Sequence, residues 1–453
     1  MNTDAVVVGG GLAGSEAAWQ LAKRGIRVRL YEMRPDISTG AHQTGSLAEL
    51  VCSNSLGSKL PDRASGVLMA ELRTLGSMVL ICAEQNAVPA GGALAVDRER
   101  FARDVTEQIE KHPQIQIVRS EVKTIPEGFV IIASGPLTSD SLAQAIGGLS
   151  DQDHLYFFDA LAPIIDVESI NMQVAFRASR YERGERAEGD YINCPLNKEE
   201  YEAFIDSLLR AERIPLRSFE KEIQDGVRAG AYHYFEGCLP VEIIAERGRD
   251  SLAFGPMRPV GLIDPRSGKR PYAVLQLRQD NLAGSLYNMV GFQTNLKYEE
   301  QRDVFRMIPG LENARFQRYG QMHRNTFLNS PTQLGSNLQH RGRSDLFFAG
   351  QLTGVEGYLG NIATGLLAGI NLSRLIKRHE LLVIPRETML GSLAHYIAHA
   401  DQKLFQPMKA NFGLMVPLDD GRKRNRRERA SAYAERSASV LAEYLENIQE
   451  NCA

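Results

Sequence analysis

The chain has 453 residues, 43% hydrophobic and 24% charged, which excludes a disordered or fibrous protein and allows a large buried core. At about 150 residues per unit this is roughly three domain-sized units. The formal charge is −3, so any nucleic acid must be met by local basic patches rather than by the surface as a whole.

The opening MNTDAVVVGGG carries no basic leader and breaks at glycines, so no signal peptide is expected. No run of about 18 apolar residues occurs, so no membrane contact is expected either. Residues 4–8, Asp-Ala-Val-Val-Val, read as a short buried strand. Gly9-Gly10-Gly11-Leu12-Ala13-Gly14 follows and contains G-x-G-x-x-G. A helix runs to Lys23-Arg24-Gly25, and residues 26–31 alternate as a second strand that delivers Glu32. Strand, glycines, helix, strand and acid in this order form a dinucleotide-binding unit. Gly9 permits the tight turn, Gly11 the approach of a pyrophosphate, and Gly14 the close packing of helix on strand. Leu12 and Ala13 open the helix, whose free N–H groups face the phosphates. Glu32 is placed to accept from a ribose hydroxyl. This motif alone does not choose between FAD and NAD.

A capped helix is expected over 97–110, with strands at 115–118 and 130–133, so the first 150 residues read as doubly wound α/β. Asn197 with Glu200 predicts a capping box, and Tyr201, Phe204, Ile205, Leu208 and Leu209 form the apolar stripe behind it. Strands are expected at 273–277 and 287–292, and a helix over 298–308 ends at Pro309-Gly310. The fold class is therefore α/β: a Rossmann-like FAD-binding domain with a parallel sheet, plus an inserted smaller α+β domain. Its expected division is 1–190, 191–320 for the insert, and 321–453 with C-terminal helices.

Residues 345–349 form another buried strand, and Gly350-Gln351 opens a second glycine cluster. Six of the twenty residues from 350 to 369 are glycine. Gly365 and Gly369 suit helix packing. Gly350 to Gly360 suit backbone close to a phosphate or a flat ring. Two such clusters at opposite ends of one chain fit FAD better than NAD.

The five cysteines, Cys52, Cys82, Cys194, Cys238 and Cys452, are odd in number and lack C-x-x-C. Reduced thiols in the cytoplasm are expected. His395 and His399 are four apart, but Tyr396 replaces the glutamate of a zinc helix, so no metal is expected.

The segments GGGLAGSEAA, LVCSNSLGS, ALAVDRERF, ASGPLTS, CPLNKEEY, YFEGCLPVE, FGPMRPVGL, GFQTNLKY, MHRNTF and FAGQLTGVEGYLGNIATGLLAGIN run through nearly the whole chain. In their order and number they resemble the TrmFO family of folate- and FAD-dependent tRNA (uracil-5-)-methyltransferases. The resemblance implies methylation of C5 of uridine 54 in the tRNA T-loop. The carbon comes from 5,10-methylenetetrahydrofolate, reduced FAD is carrier and reductant, and NADPH or NADH reduces the flavin. It assigns catalytic roles to Cys52 and Cys238. A thiolate adding at uracil C6 makes C5 nucleophilic, and a second group must then remove the C5 proton. Cys238 is read as the nucleophile and Cys52 as the acid–base group, although the two roles can be exchanged. Cys82, Cys194 and Cys452 are read as plain buried thiols. His323 is a candidate for stacking on the folate pterin.

With tRNA as partner, residues 422–429 become relevant, six positive charges against one negative. Arg424, Arg426 and Arg427 are the candidate phosphate contacts. Arg177, Arg180, Arg183 and Arg186 form a weaker second candidate. Two rival readings remain: an MnmG-like wobble-uridine flavoprotein, which usually runs past 600 residues, and a non-catalytic flavin-bound RNA-binding protein.

Overall fold

A computed structural model describes residues 4–37, 39, 41–149, 155–182, 184–214, 239–419 and 421–450. Its centre is the strand Asp4–Val8, whose residues 5–8 are all buried. An unbroken apolar run of this kind suits a parallel strand covered on both faces. Val130–Ile132 and Arg27–Glu32 flank it, and Leu346–Phe348 and Ile115–Arg119 close the two edges. All four pairings are parallel. The edge strand Leu346–Phe348 thus brings the second glycine cluster beside the first.

The helix Leu12–Lys23 packs on this sheet, and the helix Tyr358–Ile376 crosses it. The crossing is backbone against backbone. A Cβ on Gly365 would lie 2.2 Å from the Ala13 carbonyl oxygen, and one on Gly369 2.7 Å from that of Ala17. The packing role expected for both glycines follows. By length and composition Tyr358–Ile376 could cross a membrane, but 78% of its apolar window is buried inside the protein.

The second sheet has six antiparallel strands in the order Phe176–Ala178, Tyr191–Leu196, Ala273–Gln279, Leu286–Met289, Ile164–Asp166, Phe316–Arg318. It has its own core of Leu275, Leu277, Tyr287, Met289, Phe292 and Phe305, with Tyr201, Phe204, Ile205 and Leu208 from the helix Lys198–Arg210. That helix starts at the expected Asn197–Glu200 capping box. Strands from residues 164–178 belong to this sheet, although the sequence reading assigns them to the first unit. They are too short, at three residues each, to show a period. Leu286–Met289 also ends before the expected 292, where Gly291 takes a φ of +75°. A two-stranded ribbon, Leu155–Ala160 with Met322–Phe327, leads the chain out to this sheet and back.

The C-terminal helix Arg426–Glu450 is tied down by a buried acid. Glu71 accepts from Met389 N (2.6 Å), Leu390 N (2.7 Å) and the Ser437 hydroxyl. It caps the helix Met389–His399 and anchors the C-terminal one. Burial pushes its pKa up.

Candidate active site

The loop after Asp4–Val8 is shaped by what its glycines lack. Gly9 has a φ of +100°, and a Cβ there would lie 2.5 Å from the Ala133 carbonyl oxygen. Gly11 has nothing within 4 Å of its Cβ position, so its backbone faces an open cleft. Gly11 is also the N-cap of Leu12–Lys23 and offers no side chain to the first-turn N–H groups. Gly9, Gly11, Leu12, Ala13 and Glu32 line the cleft with Arg34, Ser134 and Pro136. Gly10 and Gly14 do not. Gly10 N donates to Glu32 Oε2 at 2.9 Å, and Gly14 lies against the Gly9 carbonyl.

Glu32 therefore works on the loop as well as on the cleft. Its Oε1 accepts from Arg34 N (3.0 Å) and Nε (2.9 Å). Burial alone would raise its pKa, but the hydrogen bonds and charge of Arg34 outweigh that and hold the carboxylate below its ordinary range.

Gly350 and Gln351 line the same cleft from the other side. Gly350 N donates to Thr364 Oγ1 at 2.9 Å, and Gln351 Nε2 donates to Glu356 Oε1 at 2.5 Å. Asn361, at the start of Tyr358–Ile376, has a buried Oδ1 with no partner among the described residues. The two glycine clusters thus meet across one cleft.

A second cavity, of about 480 Å³, shares a wall with this cleft. Pro136, Leu137, Gln351, Tyr358 and Asn361 line both, and Cys52 lines only the second. The Cys52 loop is held by its backbone. Cys52 N (2.9 Å) and Ser53 N (3.2 Å) both donate to Tyr358 Oη. Arg98 donates to the carbonyls of Leu50 (3.0 Å) and Cys52 (3.3 Å), and its Nε pairs with Asp280 at 3.0 Å. Burial pulls the Arg98 pKa down, but the charge and hydrogen bond of Asp280 lead the opposing effects and the net shift is upward, so the guanidinium stays charged. Burial, with Cys52 beside it, pushes the Tyr358 phenol well up, so it stays protonated. Tyr358→Phe leaves two backbone donors without their acceptor, at about 1–3 kcal/mol each. On the activity and cofactor that the resemblance implies, its kcat should fall about 10–100-fold with flavin still bound, as steady-state rates and flavin absorbance would show.

Cys238 lies outside the described residues. His323 stands on Met322–Phe327 opposite Asp159, with its side chain likewise outside the description. Among the described residues no group of three or more His, Cys, Asp or Glu could hold a metal ion.

Residues 4–380 match the family described as glucose inhibited division protein A. A methylenetetrahydrofolate–tRNA-(uracil-5-)-methyltransferase TrmFO of an Exiguobacterium species is 56% identical over 439 residues, 97% of this chain and 98% of the relative. The TrmFO of Enterococcus faecalis is 55% identical over 448 residues, 99% and 100% of the two chains. The chain belongs to the TrmFO family. Among solved structures, Aquifex aeolicus GidA superposes with a TM-score of 0.70 at 16% identity, over 97% of this chain and 73% of GidA. That likeness shows the fold.

In this TrmFO chain one arginine of the basic run reaches the segment that leads into the Cys52 cavity wall. Asn425 accepts from Arg427 N (2.9 Å) and Glu428 N (3.0 Å), while Glu428 accepts from Asn425 N (3.1 Å). The lone acid of the run thus closes a capping box that starts the C-terminal helix. Arg426 and Arg427 are exposed and Arg424 is half-buried. Arg427 Nε lies 3.5 Å from Asp62, three residues before Ser65, which lines the cavity. In the weaker arginine set, two members are engaged within the protein. Arg177 donates to Tyr287 Oη, Arg180 donates to Gln276 and Val260, and Arg183 is outside the described residues.

Four residues at this TrmFO site are missing from the sequence reading: Arg98, Arg278, Asn288 and Tyr358. Arg278 had a signal. In Ala-Val-Leu-Gln-Leu-Arg-Gln, residues 273–279, every residue is buried, yet Gln276 and Arg278 alternate with core leucines. A polar row on a covered strand face marks a site.

Proposed function

We infer that this chain is a methylenetetrahydrofolate–tRNA-(uracil-5-)-methyltransferase acting on C5 of uridine 54 in the T-loop. The observation that carries it is Cys52 on the cavity that shares a wall with the dinucleotide cleft. Relatives over 50% identical along the whole chain bear that activity in their names.

FAD is the cofactor of this reading, and the residues fit it. The open backbone at Gly11 and the uncapped helix start suit its phosphates, and the cradle at Gly350 and Gln351, with the unpartnered Asn361 Oδ1, suits its ring system. Glu32 keeps lone pairs for a ribose hydroxyl. When bound and reduced, FAD supplies the reducing equivalents that turn a transferred methylene into a methyl group. NADPH or NADH is the reductant, and 5,10-methylenetetrahydrofolate is the carbon donor, with His323 proposed at the pterin.

The protein's own work is on uracil. One thiol, assigned to Cys238, adds to C6. The other, Cys52, held through its backbone by Tyr358 and Arg98, takes the C5 proton, or the roles are exchanged. The target base lies inside a folded loop and must be extruded to reach the cavity. The division into a FAD-binding unit built from both chain ends and an inserted unit belongs to the same reading, supported by the ribbon that leaves and returns.

The test is transfer of labelled methylene from 5,10-methylenetetrahydrofolate to a T-loop transcript. A chain that binds the transcript and flavin but transfers no label rejects the reading. Arg424, Arg426 and Arg427 are the proposed phosphate contacts. Neutralising Arg426 and Arg427 together should raise the tRNA KM severalfold and reduce the salt slope of log K by about 2. Equal slopes before and after would remove the patch.

A further inference from the structure

We propose that Arg278 and Asn288 form the edge that reads the C4 carbonyl of the extruded uracil and rejects cytosine. The proposal rests on the methyltransferase reading above.

Arg278 and Asn288 stand directly opposite each other on the antiparallel strands Ala273–Gln279 and Leu286–Met289. Paired residues put their side chains on one face of the sheet, about 5 Å apart. Their neighbours Leu277 and Met289 point into the core of the second sheet, so the pleat turns this pair the other way. Both line the Cys52 cavity. Asn288 is 1% exposed, and its Nδ2 has no partner among the described residues. Arg278 is 7% exposed, and among the described residues no carboxylate is in ion-pair contact with it. Its Nε donates to Asn54 Oδ1 (2.8 Å) and its Nη2 to Ser53 Oγ (3.2 Å), so its charge sits beside the Cys52 loop. A buried amide donor without a partner, and a buried cation with no carboxylate in direct contact, are both costly unless a ligand completes them.

The ligand is defined by what such a pair accepts. A carboxamide offers an acceptor beside a donor and matches N3–H and O4 of uracil. Alone it could turn over and suit cytosine. The guanidinium cannot, because it has only donors. It favours O4 and opposes the N4 amino group of cytosine. Addition of a thiolate sharpens the preference. The S–C6 bond forms, the C5=C6 pair moves between C4 and C5, and the C4=O pair moves onto O4. Negative charge gathers on O4 and meets Arg278. A pterin carbonyl gains no such charge, which favours the base over the folate as the group read here.

The test uses Asn288→Asp and Asn288→Ala in the full-length flavoprotein, with flavin content as the check on folding. Arg278 itself is left alone because it holds Asn54. T-loop transcripts carry uracil or cytosine at the target position, and both methylation and RNA binding by fluorescence anisotropy are measured. A carboxylate accepts but does not donate. Asn288→Asp should therefore lower kcat/KM on uracil about 30-fold and move the uracil-to-cytosine binding ratio at least about 10-fold toward cytosine. Asn288→Ala should lose uracil activity with no gain for cytosine. An unchanged ratio in both variants overturns the proposal. So does weaker folate binding with an unchanged ratio, which gives the pair to the pterin. A wild-type chain inert on the uracil transcript rejects the methyltransferase reading itself, and this inference with it.

Discussion

Cys52→Ala and Cys238→Ala should each abolish tRNA methylation, by about 10³-fold or more, with the flavin still bound. The expectation for Cys52 follows from how its loop is held. Tyr358 and Arg98 grip the backbone of residues 50–53, and Asn54 is fixed through its amide by Val96, Gln279 and Arg278. The Tyr358 and Arg98 hydrogen bonds run through the backbone of the loop and not through the Cys52 thiol, so removing the thiol should take away chemistry and leave the loop in place. Loss of flavin in Cys52→Ala would show that the thiol is structural. A 5-fluorouridine T-loop transcript then separates the roles. The variant that still forms a covalent adduct has kept the thiol that attacks C6. Cys82 and Cys194 serve as controls, because burial pushes the Cys82 thiol up to about 12 and that of Cys194 higher. Neither supplies thiolate near neutral pH, and Cys82→Ala should methylate normally.

What the sequence discloses depends on the range of the interaction. The glycine loop, its helix and Glu32 lie within thirty residues and obey local rules, so the parallel sheet and the cleft were readable from residues 4–32 and 345–361. The Asn197–Glu200 capping box was readable for the same reason. The grip on Cys52 was not. Tyr358 reaches it from the far end of the chain, and Arg278 from a different sheet. No periodicity reports a contact made by tertiary folding. The glycine motif takes residues 9–14 as one dinucleotide-binding block, with Gly14 already given to packing. The side-chain geometry separates them: Gly10 serves Glu32, Gly14 serves packing, and Gly9 and Gly11 face the cleft.

That separation predicts a second large effect. A Cβ on Gly14 would lie 1.7 Å from the Gly9 carbonyl oxygen and 2.9 Å from the carbonyl carbon. Neither is the tip of a flexible side chain, so the helix must lift away from the strand. It cannot lift freely, because Tyr358–Ile376 lies against it with Gly365 over the Ala13 backbone. Gly14→Ala should therefore cost about 3 kcal/mol or more, a large share of the roughly 5–15 kcal/mol that holds a protein folded. It should also open the Gly9–Gly11 turn, so the protein should purify largely without flavin and melt several degrees lower. Gly11→Ala is the contrast. Gly11 has a φ of −73° and open space around its Cβ position, so alanine there leaves the packing intact and only puts a methyl group into the cleft. Its melting temperature should match the wild type in the flavin-free state, with weaker flavin binding. Equal flavin-free melting temperatures for Gly14→Ala and wild type would mean that helix and strand separate at little cost, and the packing role of Gly14 would fall.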